Sequence, residues 1–358
     1  MSNRLVRLDG LRGVAVLSVV LFHAGSYLVP SAAPNLLPGG FLGVDLFFVL
    51  SGFLMTSILL EPSQSYGRFY VRRVARIFPA LYVFLAGYLL YTWAEGGPGV
   101  TGIRSYVLIA LGMGNWSPSV GTTLPFGLAQ TWSLGVEEQL YLLWPLVVVL
   151  YGRTRPNRLR HVCVVGIAGS LVLKALLWHH GVPATQIYSR TDARLDDFLV
   201  GAFVATLWHG REHRIAPRHL GGLTATAGAF LAVCLAVAHP YSSPWLYEGG
   251  FTAVAVCCGI ILYACLHRTA ATGFADSRAL RSLGRYSYAA YLWHPAVFLG
   301  AAQLLPGDLF VRVAAATVAL AAVVVASTRW VEEPLRRLAS RPTRPARPVT
   351  PVLTLLPT

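Results

Sequence analysis

The sequence predicts an all-α, polytopic membrane protein, and three observations lead to this fold class. Of its 358 residues, 55% are hydrophobic and only 12% are charged, and the mean hydropathy is +0.57. Apolar stretches near the length of about 20 residues that crosses a bilayer recur between Gly13 and Ser327. Short basic segments separate these stretches. The gaps are too small to hold a soluble domain.

Ten apolar stretches are predicted to cross the membrane. They lie at residues 13–30, 41–60, 77–94, 134–151, 162–178, 192–209, 220–238, 247–266, 286–304 and 309–328. The first of them, Val14 to Val29, follows a charged segment but lacks a small-x-small cleavage site. It is therefore interpreted as a retained helix and not as a signal peptide.

The basic residues predict the orientation of these spans. Most of the 29 Lys and Arg residues fall in six patches, at 4–12, 68–76, 153–160, 211–218, 268–285 and 329–347. Every even-numbered span leads into such a patch, as the positive-inside rule requires of cytoplasmic segments. Both termini are therefore predicted to be cytoplasmic, in a bacterial inner membrane. Because topology explains the net charge of +14, no nucleic-acid partner is expected.

Two segments differ from this pattern. Tyr106 to Gly114 is apolar but too short to cross, so a re-entrant or interfacial piece is predicted there. The chain is divided into a transmembrane domain, 1–340, and a Pro- and Arg-rich tail, 341–358, predicted to be cytoplasmic and disordered. The five cysteines lie in apolar stretches without metal-ligand spacing, so no metal site is expected.

Ionisable side chains inside a membrane are costly, so each of them is a functional candidate. Arg12 and His23 lie eleven positions apart, which places them on one helix face about 16 Å apart along the axis. This separation is of the order of an extended pantetheine arm. Arg12 would bind a donor group at the cytoplasmic mouth, and His23 would act as a neutral general base. The alternative for Arg12 is a topological anchor, and the alternative for His23 is a hydrogen-bonded packing residue.

Span two contributes a candidate partner for His23. Asp45 lies about one turn from the outer end, at a depth near that of His23. A carboxylate there would orient the imidazole and stabilise it once protonated. The alternative is a helix-start acid or a structural ion pair. Ser51, in a Ser-Gly pair of the same span, is interpreted as a packing residue.

A basic segment precedes span three. Arg72 and Arg76 are four residues apart, and Arg73 and Arg76 are three apart, so a helix would bring them together. Such a group of guanidinium side chains would bind the phosphates of coenzyme A. A cluster that attracts anionic lipid has the same composition, so this alternative stays open.

Four further candidates lie in later spans. Glu137 and Glu138 open span four and point about 100° apart, so at most one is expected to face a site. Arg194 and Asp196 belong to a polar group at the outer end of span six, interpreted as an acceptor-side wall or a solvated helix start. His294 precedes Pro295 in span nine, where a structural and a functional histidine are equally compatible with the sequence.

Several motifs, taken in order, resemble the acyltransferase 3 family of membrane-embedded O-acyltransferases. The similar segments are 8–13 with His23, the Gly-Val-Asp-Leu-Phe-Phe-Val-x-Ser-Gly segment from Gly43, the basic segment from Arg72 to Pro79, Trp132 to Leu134 with 137–139, Arg194 to Asp196, Tyr291 to Pro295 and Val331 to Pro334. One such segment would be weak evidence. Their common order covers most of the chain, from about Arg7 to Arg337.

The resemblance implies transfer of an acetyl or other short acyl group from cytoplasmic acyl-CoA, most often acetyl-CoA, to a hydroxyl. The acceptor would be an envelope polysaccharide, a glycolipid or the sugar of a macrolide. Arg12 and His23 match the family's paired essential residues, and Arg72, Arg73 and Arg76 match its donor-side motif. Some relatives carry a further extracytoplasmic domain at the C-terminal end. Only the short tail, 341–358, follows the membrane domain in this sequence, so the membrane domain itself is expected to meet the acceptor.

The expected mechanism is direct attack. His23, oriented by Asp45, removes the proton of an acceptor hydroxyl, which attacks the thioester, with Glu137 as a further catalytic candidate. Glu138, Arg194, Asp196 and His294 are the candidates on the acceptor side. The alternative is a multi-pass transporter or flippase for a glycoconjugate, in which His23, Asp45, Glu137 and His294 would line a path. A third possibility combines the two functions, in which the protein carries the acyl group across the membrane to an outer acceptor.

Overall fold

The computed structural model describes residues 2–29, 37–62, 64–97, 99–152, 156–210, 217–305 and 307–340, and this part of the chain contains helices and no strand. The α-helices are α1 Ser2–Tyr27, α2 Gly43–Leu60, α3 Tyr66–Ala94, α4 Gly99–Ala110, α5 Thr131–Tyr151, α6 Pro156–His179, α7 Ala184–Ser189, α8 Leu195–Gly210, α9 Pro217–Val237, α10 Phe251–Leu266, α11 Arg278–Arg285, α12 Ser287–Leu304, α13 Leu309–Ser327 and α14 Glu333–Ala339. The predicted all-α class is confirmed. The predicted tail, 341–358, lies outside the described residues.

Eight helical segments in the described chain are long and apolar enough to cross a membrane. They are Val6–Tyr27, Gly40–Leu60, Tyr66–Ala94, Phe126–Tyr151, Asn157–His179, His219–Val237, Leu246–Leu266 and Leu309–Ala339. The other two predicted spans correspond to α8 and α12, with 16 and 18 residues. The chain is therefore a multi-pass membrane protein, while the count of ten and the side of each terminus stay predictions.

Helix boundaries differ from the predicted spans at two places that concern the site. Helix α1 begins at Ser2 and not near Gly13, so Arg12 lies inside it. Helix α3 begins at Tyr66, so the basic segment and span three form one continuous helix. The predicted spans left out the polar residues of these segments because of their low hydropathy. Polar residues can nevertheless adopt helical backbone angles, so the helices continue through them. The arginines are consequently held on rigid helices and not on loops.

The short apolar run near Tyr106 lies in and just after α4. This helix has 12 residues, about 18 Å of length, which is less than the roughly 30 Å of a hydrocarbon core. A turn and a 3₁₀ segment, Gly114–Val120, follow it. The hydroxyl of Ser105 donates to the carbonyl of Thr123 at 3.2 Å, which ties α4 to the loop that leads into α5. This geometry agrees with a segment that does not cross.

Helices α2 and α8 form the centre of the structure and approach each other very closely. A Cβ atom added to Gly52 would lie 1.9 Å from the carbonyl oxygen of Phe198, and one added to Gly201 would lie 1.9 Å from that of Val49. Small residues that let two backbones meet are typical of helix contacts in membranes, where packing drives association. Most residues of α8 are buried in protein.

This contact gives a stability prediction. We expect Gly201→Ala to destabilise the protein by about 1–3 kcal/mol, because its methyl group would overlap backbone atoms. Gly222→Ala, in exposed α9 where nothing lies within 4 Å, is the matched control and is expected to stabilise by up to about 1 kcal/mol. Thermal unfolding in one detergent measures both. Equal midpoints for Gly201→Ala and the wild type would contradict the close α2 and α8 contact.

Candidate functional site

A cavity open to solvent lies between five helices, α1, α2, α3, α5 and α12, and encloses about 690 Å³ when the solvent space at its mouth is included. Its lining residues are Arg12, Val44, Phe47, Phe48, Leu50, Ser51, Leu54, Arg73, Arg76, Ile77, Ser133, Leu134, Glu137, Tyr141, Ser287, Tyr288 and Tyr291. It thus combines an apolar wall from α2 with three arginines and several hydroxyl groups. This mixture is typical of a site for a small ligand with both charged and apolar parts.

The three arginines give the cavity a strong positive charge. The guanidinium of Arg73 lies over the ring of Tyr141, 4.1 Å from its centroid. Arg12 donates to Asp9 at 3.2 Å, in a partly exposed pair. Tyr288 donates to the carbonyl of Ile77 at 2.6 Å, which fixes α12 against α3 beside Arg76. Guanidinium groups of this kind suit phosphate binding because of their planar donor geometry.

Arg72 is not brought into this cavity. It is exposed, whereas Arg73 and Arg76 line the cavity together with Ile77. Residues 73, 76 and 77 share one side of α3, and residue 72 points about 100° away from residue 73. The predicted three-arginine group is therefore only partly formed, with Arg12 replacing Arg72 as the third cation. The spacing of the motif was visible in the sequence, but the side of α3 that faces α1 was not.

Glu137 organises the hydroxyl groups that line the cavity. Ser51 donates to its Oε1 at 2.6 Å and Tyr141 to its Oε2 at 2.8 Å, and the hydroxyl of Tyr141 lies 3.2 Å from that of Ser51. Ser51 is consequently a polar lining residue, and its interpretation as a packing residue is corrected. Glu138 does not line the cavity and lies against Gly112. The two neighbouring carboxylates thus face different surroundings.

Two histidines from distant parts of the chain form a pair. His294 Nε2 lies 3.1 Å from His23 Nδ1, and the ring centroids are 4.9 Å apart. His23 Nδ1 also lies 3.0 Å from the carbonyl of Val19, and His294 Nδ1 lies 3.0 Å from that of Ala290. His294 is fully buried. Each histidine is a candidate in the sequence, but a separation of 271 residues gives no indication that they pair.

Tyr291 connects the cavity to the histidine pair. It lines the cavity, and its ring centroid lies 5.8 Å from that of His294 and 5.9 Å from that of Phe47. Its hydroxyl lies 2.6 Å from that of Ser133 and donates to the carbonyl of Gln130 at 3.1 Å. His294 follows Tyr291 by three residues, about 4.5 Å along α12. The pair therefore lies just beyond the cavity wall, and about 16 Å from Arg12 along α1.

Asp45 is not the partner of His23. Its carboxylate lies 2.9 Å from the guanidinium of Arg194, which also lies 3.1 Å from Asp197. Asp45 and Arg194 are both fully buried, and the guanidinium packs on the ring of Phe251 at 4.3 Å. The predicted orienting role is therefore corrected in favour of the structural ion pair. Asp45 and His23 were expected at a similar depth on neighbouring helices, but their side chains do not face each other.

A second buried pair continues this ion cluster, which comprises Asp45, Lys174, Arg194, Asp196 and Asp197. Lys174 of α6 donates to Asp196 at 2.5 Å, and Thr252 of α10 and Ser170 of α6 donate to the same carboxylate. The exposed fraction of every member is 1% or less. Arg194 and Asp196 are therefore neither at a solvated helix start nor in the wall of the cavity. The ion cluster instead joins α2, α6, α8 and α10.

We expect Lys174→Met to destabilise the protein by about 3–5 kcal/mol, because it leaves the buried carboxylate of Asp196 without its cation. The added change Asp196→Asn is expected to restore part of the loss, so the two effects will not add. Arg337→Met, in an exposed pair with Glu333, is the matched control and should change stability by less than about 1 kcal/mol. Thermal unfolding provides the measurement. A loss no larger than that of the control would contradict a buried ion pair.

Comparison with known proteins places the chain among membrane acyltransferases. The family model described as "Acyltransferase domain" matches residues 5–329, nearly all of the described chain. No solved structure matches the chain significantly. The match covers all five helices that line the cavity and both histidines.

Three curated relatives illustrate the similarity. The putative peptidoglycan O-acetyltransferase YrhL of Bacillus subtilis is 32% identical over 92% of this chain and 54% of its own length. The peptidoglycan O-acetyltransferase OatA of Listeria monocytogenes is 33% identical over 80% of this chain and 48% of its own length. The O-acetyltransferase OatA of Staphylococcus aureus is 28% identical over 92% of this chain and 57% of its own length. The chain spans about half the length of these relatives. It belongs to the acyltransferase 3 family.

Proposed function

We propose that this protein transfers an acetyl group from acetyl-CoA, bound in the cavity, to a hydroxyl of a cell-wall or other envelope glycan. The observation that carries the proposal is the cavity itself, which three arginines line and which Tyr291 connects to the histidine pair. A donor with anionic phosphates and a thioester at the far end of a flexible arm matches this arrangement. The names of the relatives support acetyl as the group that is transferred.

The donor half of the proposal rests on Arg12, Arg73 and Arg76. Their guanidinium groups would bind the phosphates of coenzyme A, and the pantetheine arm would follow α1 past the apolar wall of α2. Arg12 and His23 are separated by about 16 Å along this helix, the order of length of an extended pantetheine arm. Glu137 would hold the hydroxyls of Ser51 and Tyr141 in place along the arm. Because its carboxylate accepts from both hydroxyls, their oxygen lone pairs stay available to the arm.

The chemical half of the proposal rests on His23. Its Nε2 would take the proton of the acceptor hydroxyl as the oxygen attacks the thioester carbon. The new carbon–oxygen bond forms while the carbon–sulfur bond breaks, and the proton passes from His23 to the departing thiolate of coenzyme A. A single histidine therefore serves as base and then as acid, as in other acyl transfers. No covalent intermediate with the protein is needed.

The predicted topology gives the two substrates different sides. Arg12 lies near the cytoplasmic end of α1, and His23 lies near its outer end. The donor would therefore enter from the cytoplasm, and the glycan would reach His23 from outside. Because the peptidoglycan assigned to two of the relatives is an extracytoplasmic polymer, we propose a peptidoglycan-like glycan as the acceptor. Glycolipids and macrolides are the other hydroxyl-bearing acceptors to compare.

The test is acetyl transfer by the purified protein in nanodiscs. Label in the acetyl group of acetyl-CoA is expected to move to peptidoglycan fragments, and less or none to glycolipid or macrolide acceptors. Transfer to a glycolipid or macrolide alone would refute the proposed acceptor but would still support acetyl transfer as the reaction. If the thioester stays intact with every acceptor while a labelled glycoconjugate crosses the bilayer of proteoliposomes, the transporter alternative replaces the proposal.

A further inference from the structure

We infer that His294 is a positioning residue that, together with the backbone carbonyl of Val19, holds His23 in the one tautomer able to act as a base, with the proton on Nδ1 and a lone pair on Nε2. The inference rests on the proposed function and reassigns His294, which the sequence suggested as an acceptor-side residue. The hydrogen bonds around the two rings carry the argument.

The proton of His294 is located by its backbone contact. Its Nδ1 lies 3.0 Å from the carbonyl oxygen of Ala290, which only accepts hydrogen bonds. Nδ1 therefore carries a hydrogen. A neutral imidazole has one N–H and one acceptor nitrogen, so Nε2 of His294 is an acceptor. This nitrogen faces Nδ1 of His23 at 3.1 Å.

The proton of His23 follows from the same reasoning. Its Nδ1 faces two acceptors, Nε2 of His294 and the carbonyl oxygen of Val19 at 3.0 Å. A lone pair on Nδ1 would meet two other lone pairs, so Nδ1 must carry the hydrogen. In the neutral ring Nε2 is then unprotonated. Among the described residues no hydrogen-bond partner occupies Nε2, which leaves it available to the acceptor hydroxyl.

The opposite arrangement requires a charged His294. If its Nε2 donated to His23, both nitrogens of His294 would carry hydrogens and the ring would be a cation. His294 is fully buried, and a buried charge without a counterion is very costly. The carboxylate suggested by the sequence, Asp45, is held by Arg194 instead. The neutral ring of His294 therefore takes the place that a carboxylate has in other acyl-transfer sites.

Packing makes His294 a fixed reference for His23. Its ring lies between those of Tyr291 and Phe298, with centroids at 5.8 Å and 5.9 Å. The ring of His23 lies against Phe22 at 5.0 Å and Tyr27 at 5.8 Å. A rigid acceptor on α12 thus fixes the rotamer of a base on α1 and supports its Nδ1–H tautomer. Once His23 is protonated on both nitrogens, the same bond stabilises its positive charge.

The experiment compares His294→Phe with His294→Gln. Phenylalanine keeps a ring but offers no acceptor, whereas the side-chain oxygen of glutamine replaces the accepting nitrogen. We expect kcat of His294→Phe to fall about 10- to 100-fold, the effect of one hydrogen bond to a developing charge. KM for acetyl-CoA should stay within about twofold of the wild type. His294→Gln should recover most of the loss in kcat.

Nitrogen-15 NMR of labelled histidine in nanodiscs gives an independent readout. The signals of His23 are identified by their absence from His23→Ala. We expect the Nδ1–H tautomer of His23 in the wild type, with a scalar coupling between its Nδ1 and Nε2 of His294 across their hydrogen bond, and we expect the loss of this coupling in both variants. Equal kcat for the two variants, or an Nε2–H tautomer of His23 in the wild type, would overturn the inference. Because the NMR readout does not need turnover, an inactive wild-type protein would refute the proposed function without affecting this test.

Discussion

Replacing His23 with alanine is expected to lower kcat for acetyl transfer about 10²- to 10⁴-fold, the range that a positioned general base contributes. The structure gives two reasons for so large an effect. His23 lies just beyond the cavity wall, where an extended donor arm would end, and its Nδ1 is held by Val19 and His294. KM for acetyl-CoA should change little, since the arginines that bind its phosphates are untouched.

His161→Ala is the matched control for this substitution. Its Nδ1 lies 2.7 Å from the carbonyl of Asn157, the same ring-to-backbone contact four residues back, but the side chain is exposed on α6. The control therefore removes a histidine and its local hydrogen bond without touching the site. Steady-state rates with a labelled donor and a fixed glycan acceptor measure both variants. If His23→Ala keeps kcat within threefold of the control, His23 is not the base.

The second large effect is expected on donor binding. We expect Arg76→Ala to raise KM for acetyl-CoA about 10- to 150-fold, because a hydrogen bond between charged groups contributes about 1.5–3 kcal/mol. Arg73→Ala should act in the same direction, and it also removes the cation above the ring of Tyr141. The effect should weaken at high ionic strength, since salt screens the attraction between phosphates and guanidinium groups.

Arg72→Ala separates this prediction from a role in lipid binding. Arg72 lies in the same helix and the same basic segment, but it is exposed and outside the cavity. Its substitution should leave KM for acetyl-CoA near the wild-type value. Direct binding of coenzyme A in nanodiscs of neutral lipid gives a readout independent of turnover. If all three substitutions weaken binding equally, or none does, the cavity arginines are not the phosphate site.

Much of this protein was predictable from local patterns in its sequence. Hydropathy gave the all-α membrane class, because a stretch of about 20 apolar residues has few stable alternatives to a spanning helix. Helical periodicity placed Arg12 and His23 on one face of α1, and the ordered motifs indicated the family that the comparison with known proteins confirms. These conclusions need only the order of residues within one segment or the order of segments along the chain.

Other features depended on which helices are neighbours and how each is rotated about its axis. His23 pairs with His294 and not with Asp45, Arg194 takes Asp45 into the ion cluster, and Arg12 joins Arg73 and Arg76 in place of Arg72. Periodicity determines which residues share a face but not which partner that face meets. Close packing at glycines, such as Gly52 and Gly201, sets those relations between helices. The sequence alone therefore determined the all-α membrane class and the candidate residues, and the tertiary structure decided their partners.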